Sequence, residues 1–295
     1  MMLPVNITNM IGCKLPVIGA PMFLVSYSDL VVAVSEAGGA GTFPSMNFRS
    51  LSELRDAITE IQSRTSKPFG VNIILHREHN PDWKGQLDIC LLKKVKFIIT
   101  SLGVPRTIIK EVKAAGSNIF CDVTNMRMAE TVCHAGADAL IAVSSGAGGH
   151  AGNISPFALI PYLSQLGVPV IAAGGIVNGK QMAAAFCLGA SAVYVGTRLL
   201  ASKESAASNH YKESILNAVP EDIRYSPEVS GIPANWIETS LEEYLSHTDK
   251  KKKWKDVYSA GHGVYDIKEI LPAGEIVKNM AEECRTIFAN FKESL

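Results

Sequence analysis

Several things are scarce in this chain, and each absence excludes something. Aromatic residues make up 7% of the 295 residues, too few for a base-stacking nucleic-acid surface. Net charge is nil, because 28 Lys and Arg balance 28 Asp and Glu, so no global field draws in nucleic acid or an acidic membrane. No apolar run reaches the length of a membrane span. The opening Met1-Met2-Leu3-Pro4 carries no basic region followed by a long apolar core, so no secretory signal is expected. The six cysteines, Cys13, Cys90, Cys121, Cys133, Cys187 and Cys284, show no C-x-x-C spacing. Free thiols in a reducing cytoplasm are expected, with no disulfide frame and no metal site.

What is present is a compact-globule composition, 47% hydrophobic and 19% charged. Short apolar runs read as strands at 15–22, 40–43, 68–75, 97–101, 119–123, 139–144, 168–173 and 192–195. Stretches of helical spacing separate them, among them 28–37, the capping-box opening Ser50-Leu51-Ser52-Glu53, 107–115, 127–134 and 179–188. The strands are nearly continuous in apolar residues, as both-sided burial demands. Eight strand-helix units by about residue 200 predict a (β/α)8 barrel in an α/β chain. The doubly wound alternative lacks its fingerprint, since Gly146-Ala147-Gly148-Gly149-His150-Ala151 matches only the first two glycines of G-x-G-x-x-G and falls in the sixth unit.

Beyond residue 200 the pattern changes. A helix is expected over 202–218, an irregular stretch over 220–244, a solvated charge run at Lys250 to Lys253, and a long amphipathic helix over 270–291. The expected organisation is a barrel at 1–202, a small cap at 203–265, and a C-terminal helix at 266–295 that returns to the barrel.

In such a barrel the chemistry lies at the carboxyl ends of the strands. Those ends read Ala20-Pro21-Met22, Asn72, Asp122-Val123-Thr124-Asn125, Ser144 to His150, Gly174-Gly175-Ile176 and Gly196-Thr197-Arg198. Glycines after the seventh and eighth strands, each with a helix just beyond, form the usual barrel site for a phosphate, so a phosphate-bearing cofactor is expected. Four glycines among residues 146–152 surround His150, whose imidazole could act as a base or bind an anion. The stretch His76-Arg77-Glu78-His79-Asn80-Pro81 offers one H-x-x-H in a proline-containing loop and reads as surface. Trp83 and Trp236 read as packing, and His262 is a second histidine flanked by glycines.

Taken in order, Ala20-Pro21-Met22, Gly70-Val71-Asn72, Ala135-Gly136-Ala137-Asp138-Ala139, Ala147-Gly148-Gly149-His150-Ala151-Gly152, Ile171 to Ile176, Gly196-Thr197-Arg198 and Ser259-Ala260-Gly261-His262-Gly263 resemble the nitronate monooxygenase family, which also contains FMN-dependent enoyl-acyl carrier protein reductases. The resemblance covers nearly the whole chain. It implies FMN as cofactor, contacted by Ala20, Pro21, Met22, Asn72, Asp122, Ser144, Gly149, Gly174, Gly175, Gly196 and Thr197. It places His150 at the reactive edge of the flavin and brings Ser259 down from the cap, making these two the candidate catalytic residues. The expected activity is oxidation of alkyl nitronates, and of nitroalkanes, with O2. The alternatives are an NAD(P)H-dependent FMN reductase of enoyl thioesters or quinones and a flavin-binding protein without turnover. Where many relatives carry an acidic residue this chain has Gly146, and Asp122 stands where a basic or neutral residue is common, so Asp122 is expected to hold Asn125 or a lysine. A small-molecule substrate, no nucleic acid, no membrane, a cytoplasmic setting and a possible oligomer complete the expectations.

Overall fold

The computed structural model describes residues 7–76, 78–103, 107–246 and 256–294. The lysine run 250–253 and the first four residues lie outside these. Eight parallel strands form one sheet: β1 (Val17–Gly19), β2 (Gly41–Pro44), β3 (Phe69–Ile74), β4 (Phe97–Ser101), β5 (Asn118–Val123), β6 (Ala139–Val143), β8 (Val170–Ala173) and β9 (Ala192–Val195). The short β7 (Gly149–His150) belongs to a second sheet. The order β1-β9-β8-β6-β5-β4-β3-β2 is closed by a parallel bridge from Ile18 to Ala40, so the sheet is a barrel.

The two-residue period of a strand divides these side chains cleanly. Ile98, Ile119, Cys121, Leu140 and Val193 face the helices, while Phe97, Ile99, Phe120, Ala139, Ile141 and Ala192 fill the barrel. The helix Ile7–Ile11 closes the bottom with the buried side chains of Ile7 and Ile11. Phe97 and Phe120 stack with centroids 5.0 Å apart. A Cβ at Gly70 would collide with the Phe97 ring, so this glycine makes room for the core aromatic. By the same period Asn72, Ser101, Asp122 and Tyr194 point inward, at the carboxyl ends of their strands.

The segment expected as one helix over 202–218 is helical only over Asn209–Asn217, where the Ser208 side chain caps it by accepting the Tyr211 N–H at 3.2 Å. The preceding residues form a turn and bends held by other bonds, such as Ala206 N–H to Val25 O. The stretch expected to be irregular contains β10 (Ile223–Ser226), β11 (Ala234–Ile237) and the helix Glu238–Ser246. Antiparallel β10, β11 and β7 make a three-stranded sheet, so the glycine loop is the third strand of the cap sheet rather than a flexible excursion. The final helix, Ala273–Ser294, packs on the helices Gly179–Cys187 and Ser28–Glu36, and its Glu283 carboxylate accepts the Gly179 N–H at 2.7 Å. All six cysteines are free thiols, and no helix among the described residues is long and apolar enough to cross a membrane.

Candidate active site

A cavity of about 1090 Å³ opens over the carboxyl ends of the strands and beneath the cap sheet. It is at the upper end of the range for small-molecule pockets, with room for a cofactor and a second ligand. Ala20, Pro21, Met22, Asn72, Asp122, Gly149, His150, Gly174, Gly175, Gly196, Thr197 and Ser259 all line it. Ser144 does not. It is fully buried behind the wall, just past the end of β6, where its hydroxyl donates to Ala173 O at 2.6 Å.

Each wall is held by identifiable bonds. The loop after β1 is pinned by Ser26, whose hydroxyl accepts the Met22 N–H and donates to Ala20 O, both at 3.1 Å. Asn47 completes this loop, accepting from the Leu24 N–H at 2.7 Å and donating to Ser26 O at 2.7 Å. The glycine loop meets the cap through backbone-on-backbone contact. A Cβ at Gly148 would sit 3.0 Å from Ala260 C and from Gly261 N, and one at Gly261 would overlap Gly146 O. Asn235, 2% exposed, donates to Ala147 O at 2.7 Å and locks the two together.

The glycines after β8 and β9 are partly engaged. The Gly175 N–H donates to Gly146 O at 3.1 Å, so that amide stays within the loop instead of pointing at an anion. Gly174, at φ +123, lies where a Cβ would come 2.7 Å from Ser144 Oγ. Thr197 Oγ1 accepts the Gly261 N–H at 3.0 Å and keeps its own proton to donate. The first helical bond beyond β9 runs from Leu200 N–H to Gly196 O, which leaves the amides of Thr197, Arg198 and Leu199 without intrahelical acceptors.

His150 is paired in register with Ala234 of β11, and its Nε2 lies 3.0 Å from Ser230 Oγ. Burial, and secondarily the charge of His79, push its imidazole down to about 4, so the ring is neutral at neutral pH. Ser259 is clamped by Tyr211, whose hydroxyl donates to Ser259 O at 2.6 Å and accepts the Ser259 N–H at 2.9 Å. Tyr211 in turn stacks on Tyr258 at 4.1 Å. Asp122 holds neither Asn125 nor a lysine. Its Oδ2 accepts from Ser101 Oγ at 2.8 Å, while Asn125 caps the helix Met126–Ala135 by accepting the Met128 N–H at 3.0 Å.

His79, read from sequence as a surface residue, lines the cavity. The turn that carries it is anchored by buried Asn80, which donates to Ile74 O at 3.0 Å and exchanges hydrogen bonds with Gln86, itself accepting from Ser45 Oγ at 2.6 Å. Its ring lies 4.6 Å from that of His76. Its position directly after the third strand was the available signal. Tyr194, Ser101, Ser230 and Tyr225 also line the cavity and were not singled out by sequence. His262 is exposed outside the lining, its N–H donating to Gly146 O at 3.0 Å. Trp236 is buried packing, donating its Nε1–H to Ser226 O at 3.1 Å, and Trp83 packs on the outer core. Among the described residues no group of three or more His, Cys, Asp or Glu could hold a metal ion.

A capped, glycine-walled cavity at the carboxyl face of a (β/α)8 barrel, holding one neutral imidazole and one buried carboxyl, defines a barrel enzyme with its site in the usual place. The family profile described as Nitronate monooxygenase matches residues 5–88 and 76–253, and the chain belongs to that family and is an oxidoreductase. It is 33% identical over 243 residues to a (3aS,4S,5R,7aS)-5-hydroxy-7a-methyl-1-oxo-octahydro-1H-indene-4-carboxyl-CoA dehydrogenase of Rhodococcus jostii (strain RHA1), covering 82% of this chain and 68% of the relative. It is 30% identical over 294 residues to a probable nitronate monooxygenase of Staphylococcus saprophyticus, covering 84% and 82%. The solved structure of FabK from Thermotoga maritima superposes with a TM-score of 0.88 at 32% identity, covering 98% of each chain.

Proposed function

We propose that the protein is an FMN-dependent oxidoreductase that oxidises alkyl nitronates with O2. Two observations favour a flat cofactor in the cavity. Asp122 Oδ1 is buried and lacks a hydrogen-bond partner, and buried polar groups are normally satisfied. Gly149 and Gly175 also line the cavity, and a Cβ at either would meet no protein atom within 4 Å, so the backbone itself is the wall there. Asn72, Asp122 and the Ala20–Met22 segment would border the ring, and Thr197 with the amides that follow β9 would hold the phosphate. When bound, FMN supplies the two-electron acceptor that O2 reoxidises.

The observation that carries the substrate reading is the placement of His150, which lines the cavity and is held to the cap sheet by its pairing with β11 and its contact with Ser230. An imidazole at about 4 is a weak base, poorly suited to pulling a proton from a nitroalkane, and as a neutral ring it keeps one N–H, which is left for a ligand when the Ser230 hydroxyl donates to Nε2 and the ring proton sits on Nδ1. A nitronate has already lost its α-proton, so the residue needs only to bind and orient the nitro oxygens. The bond to Ser230 and the pairing with β11 fix the ring for that task. A second reading, transfer of electrons to or from an acyl thioester with NAD(P)H as partner, is favoured by the cavity volume of about 1090 Å³ and the 33% identity to a carboxyl-CoA dehydrogenase.

Anaerobic mixing with propyl nitronate, NADH, NADPH or an enoyl-CoA, followed at roughly 450 nm where oxidised flavin absorbs, separates the readings. Rapid bleaching by the nitronate alone supports the first. Bleaching by a nicotinamide and none by the nitronate overturns it in favour of the second.

A further inference from the structure

Four inward-facing polar side chains form a line across the barrel under the cavity. Asn72 Nδ2 donates to Ser101 Oγ at 2.6 Å, and Ser101 Oγ donates its only proton to Asp122 Oδ2 at 2.8 Å. The direction of this chain leaves one oxygen unexplained. Asp122 Oδ1 has no partner and is shielded from solvent, and Asp122 lines the cavity together with Tyr194, whose hydroxyl is also buried. A carboxylate here would keep its charge in a low-dielectric setting on one hydrogen bond, which costs several kcal/mol by order of magnitude (roughly the penalty of an incompletely paired buried ion). A carboxylic acid has no such charge, and it gains a donor on the oxygen that Ser101 does not use.

We propose that Asp122 binds the cofactor ring as an acid, with the proton on Oδ1 donated to an acceptor of the ring and Oδ2 held by Ser101. The inference rests on the FMN reading and deepens it. Asp122 is then a positioning and proton-linked binding group, and the site closes on FMN only in the protonated form. It also removes a conflict, because a neutral carboxyl leaves room beside the ring for an anionic substrate that a carboxylate would repel. Burial raises this carboxyl to about 7, with the Ser101 hydrogen bond opposing, so the linkage falls in an accessible pH range. The titratable neighbours that feel Asp122 are Tyr194 from β9, raised well above its ordinary value chiefly by burial, and Cys121 from its own strand, raised to about 12 chiefly by burial; both stay neutral across the range used below. His79 and His150 are the histidines of the described lining, His150 lowered to about 4 and so neutral across that range, and no Lys or Arg is among the described lining residues.

The test is FMN affinity of the full chain, freed of flavin and titrated by fluorescence quenching between pH 6.5 and 8.5. If only the acid form binds, affinity falls tenfold per unit above the midpoint, roughly 25-fold over the range for a midpoint near 7. Asp122→Asn keeps a donor that cannot ionise, and its affinity should be flat. Ser101→Ala keeps the carboxyl but removes the bond that favours the carboxylate, so the midpoint should move to higher pH. A parent that binds FMN with a flat profile overturns the inference and leaves the cofactor reading standing. A slope that persists in Asp122→Asn, or a midpoint unmoved in Ser101→Ala, places the titrating group elsewhere and also overturns it. No FMN binding at any pH overturns the cofactor reading and the inference together.

Discussion

The two buried titratable groups of the cavity pull stability in opposite directions as pH changes, and separating them is the sharpest quantitative test of the site. His150 sits at about 4 when folded against an ordinary 6.5, so between these values the unfolded chain binds more protons and stability rises with pH. Asp122 sits at about 7 against an ordinary 3.8, so between these values the folded chain binds more protons and stability falls with pH. From pH 5 to 7.5 the histidine contributes about +2 kcal/mol and the aspartate about −2.5 kcal/mol, which nearly cancel. The parent should therefore show little change from these two groups. His150→Asn should lose about 2.5 kcal/mol relative to its own value at pH 5, and Asp122→Asn should gain about 2 kcal/mol over the same interval. Urea unfolding of the flavin-free full chain at both pH values measures this, because the titrations of surface carboxylates are common to all three proteins and drop out of the comparison. If the pH dependence of either variant parallels that of the parent, the assigned burial of that group is wrong.

Three further outcomes follow from the site. Ser230→Ala removes the partner of His150 Nε2, and should cost about 1 kcal/mol of stability and lower kcat/KM for propyl nitronate while leaving FMN affinity intact; an unchanged kcat/KM would show that the ring is oriented by other contacts. Gly261→Ala drives a methyl into Gly146 O where the cap clasps the glycine loop, so a loss of about 1–3 kcal/mol and weakened FMN retention are expected on denaturation and gel filtration. His79→Asn removes a charge that disfavours protonated His150, so the His150 titration followed by NMR should move to higher pH, and a stationary titration would refute electrostatic coupling across the cavity.

The barrel was legible because its strands are largely apolar runs of three to six residues at nearly regular spacing, and each helix between them carries its own periodic face. The cap sheet was not, because β7 is two residues inside a glycine loop and pairs with β11 some eighty positions later. No local alternation can announce a strand that short. The strand-end residues were found by position, and all but Val123, Ser144, Ser145 and Arg198 line the cavity; Ser144 is turned away by a hydrogen bond to the next strand that spacing does not encode. His79 was passed over because Pro81 marks a loop, while the Asn80, Gln86 and Ser45 network that holds the loop over the site joins three separate elements. The partner of Asp122 was missed for a related reason: strand period puts Asp122 and Ser101 on the inner face, but the register between neighbouring strands puts their oxygens 2.8 Å apart.

The pairing of β7 with β11 has a consequence for how the site works. His150 is at once the imidazole of the cavity and a rung of the cap sheet, bonded to the cap again through Ser230. Movement of the cap away from the barrel would strip the burial that keeps the ring neutral, so cap position and His150 protonation are one equilibrium rather than two. Lowering the pH toward 5 must favour any state in which the cap has lifted, because that state binds the proton more tightly. Neutral pH favours the closed arrangement, the one in which His150 is neutral, buried and bonded to Ser230.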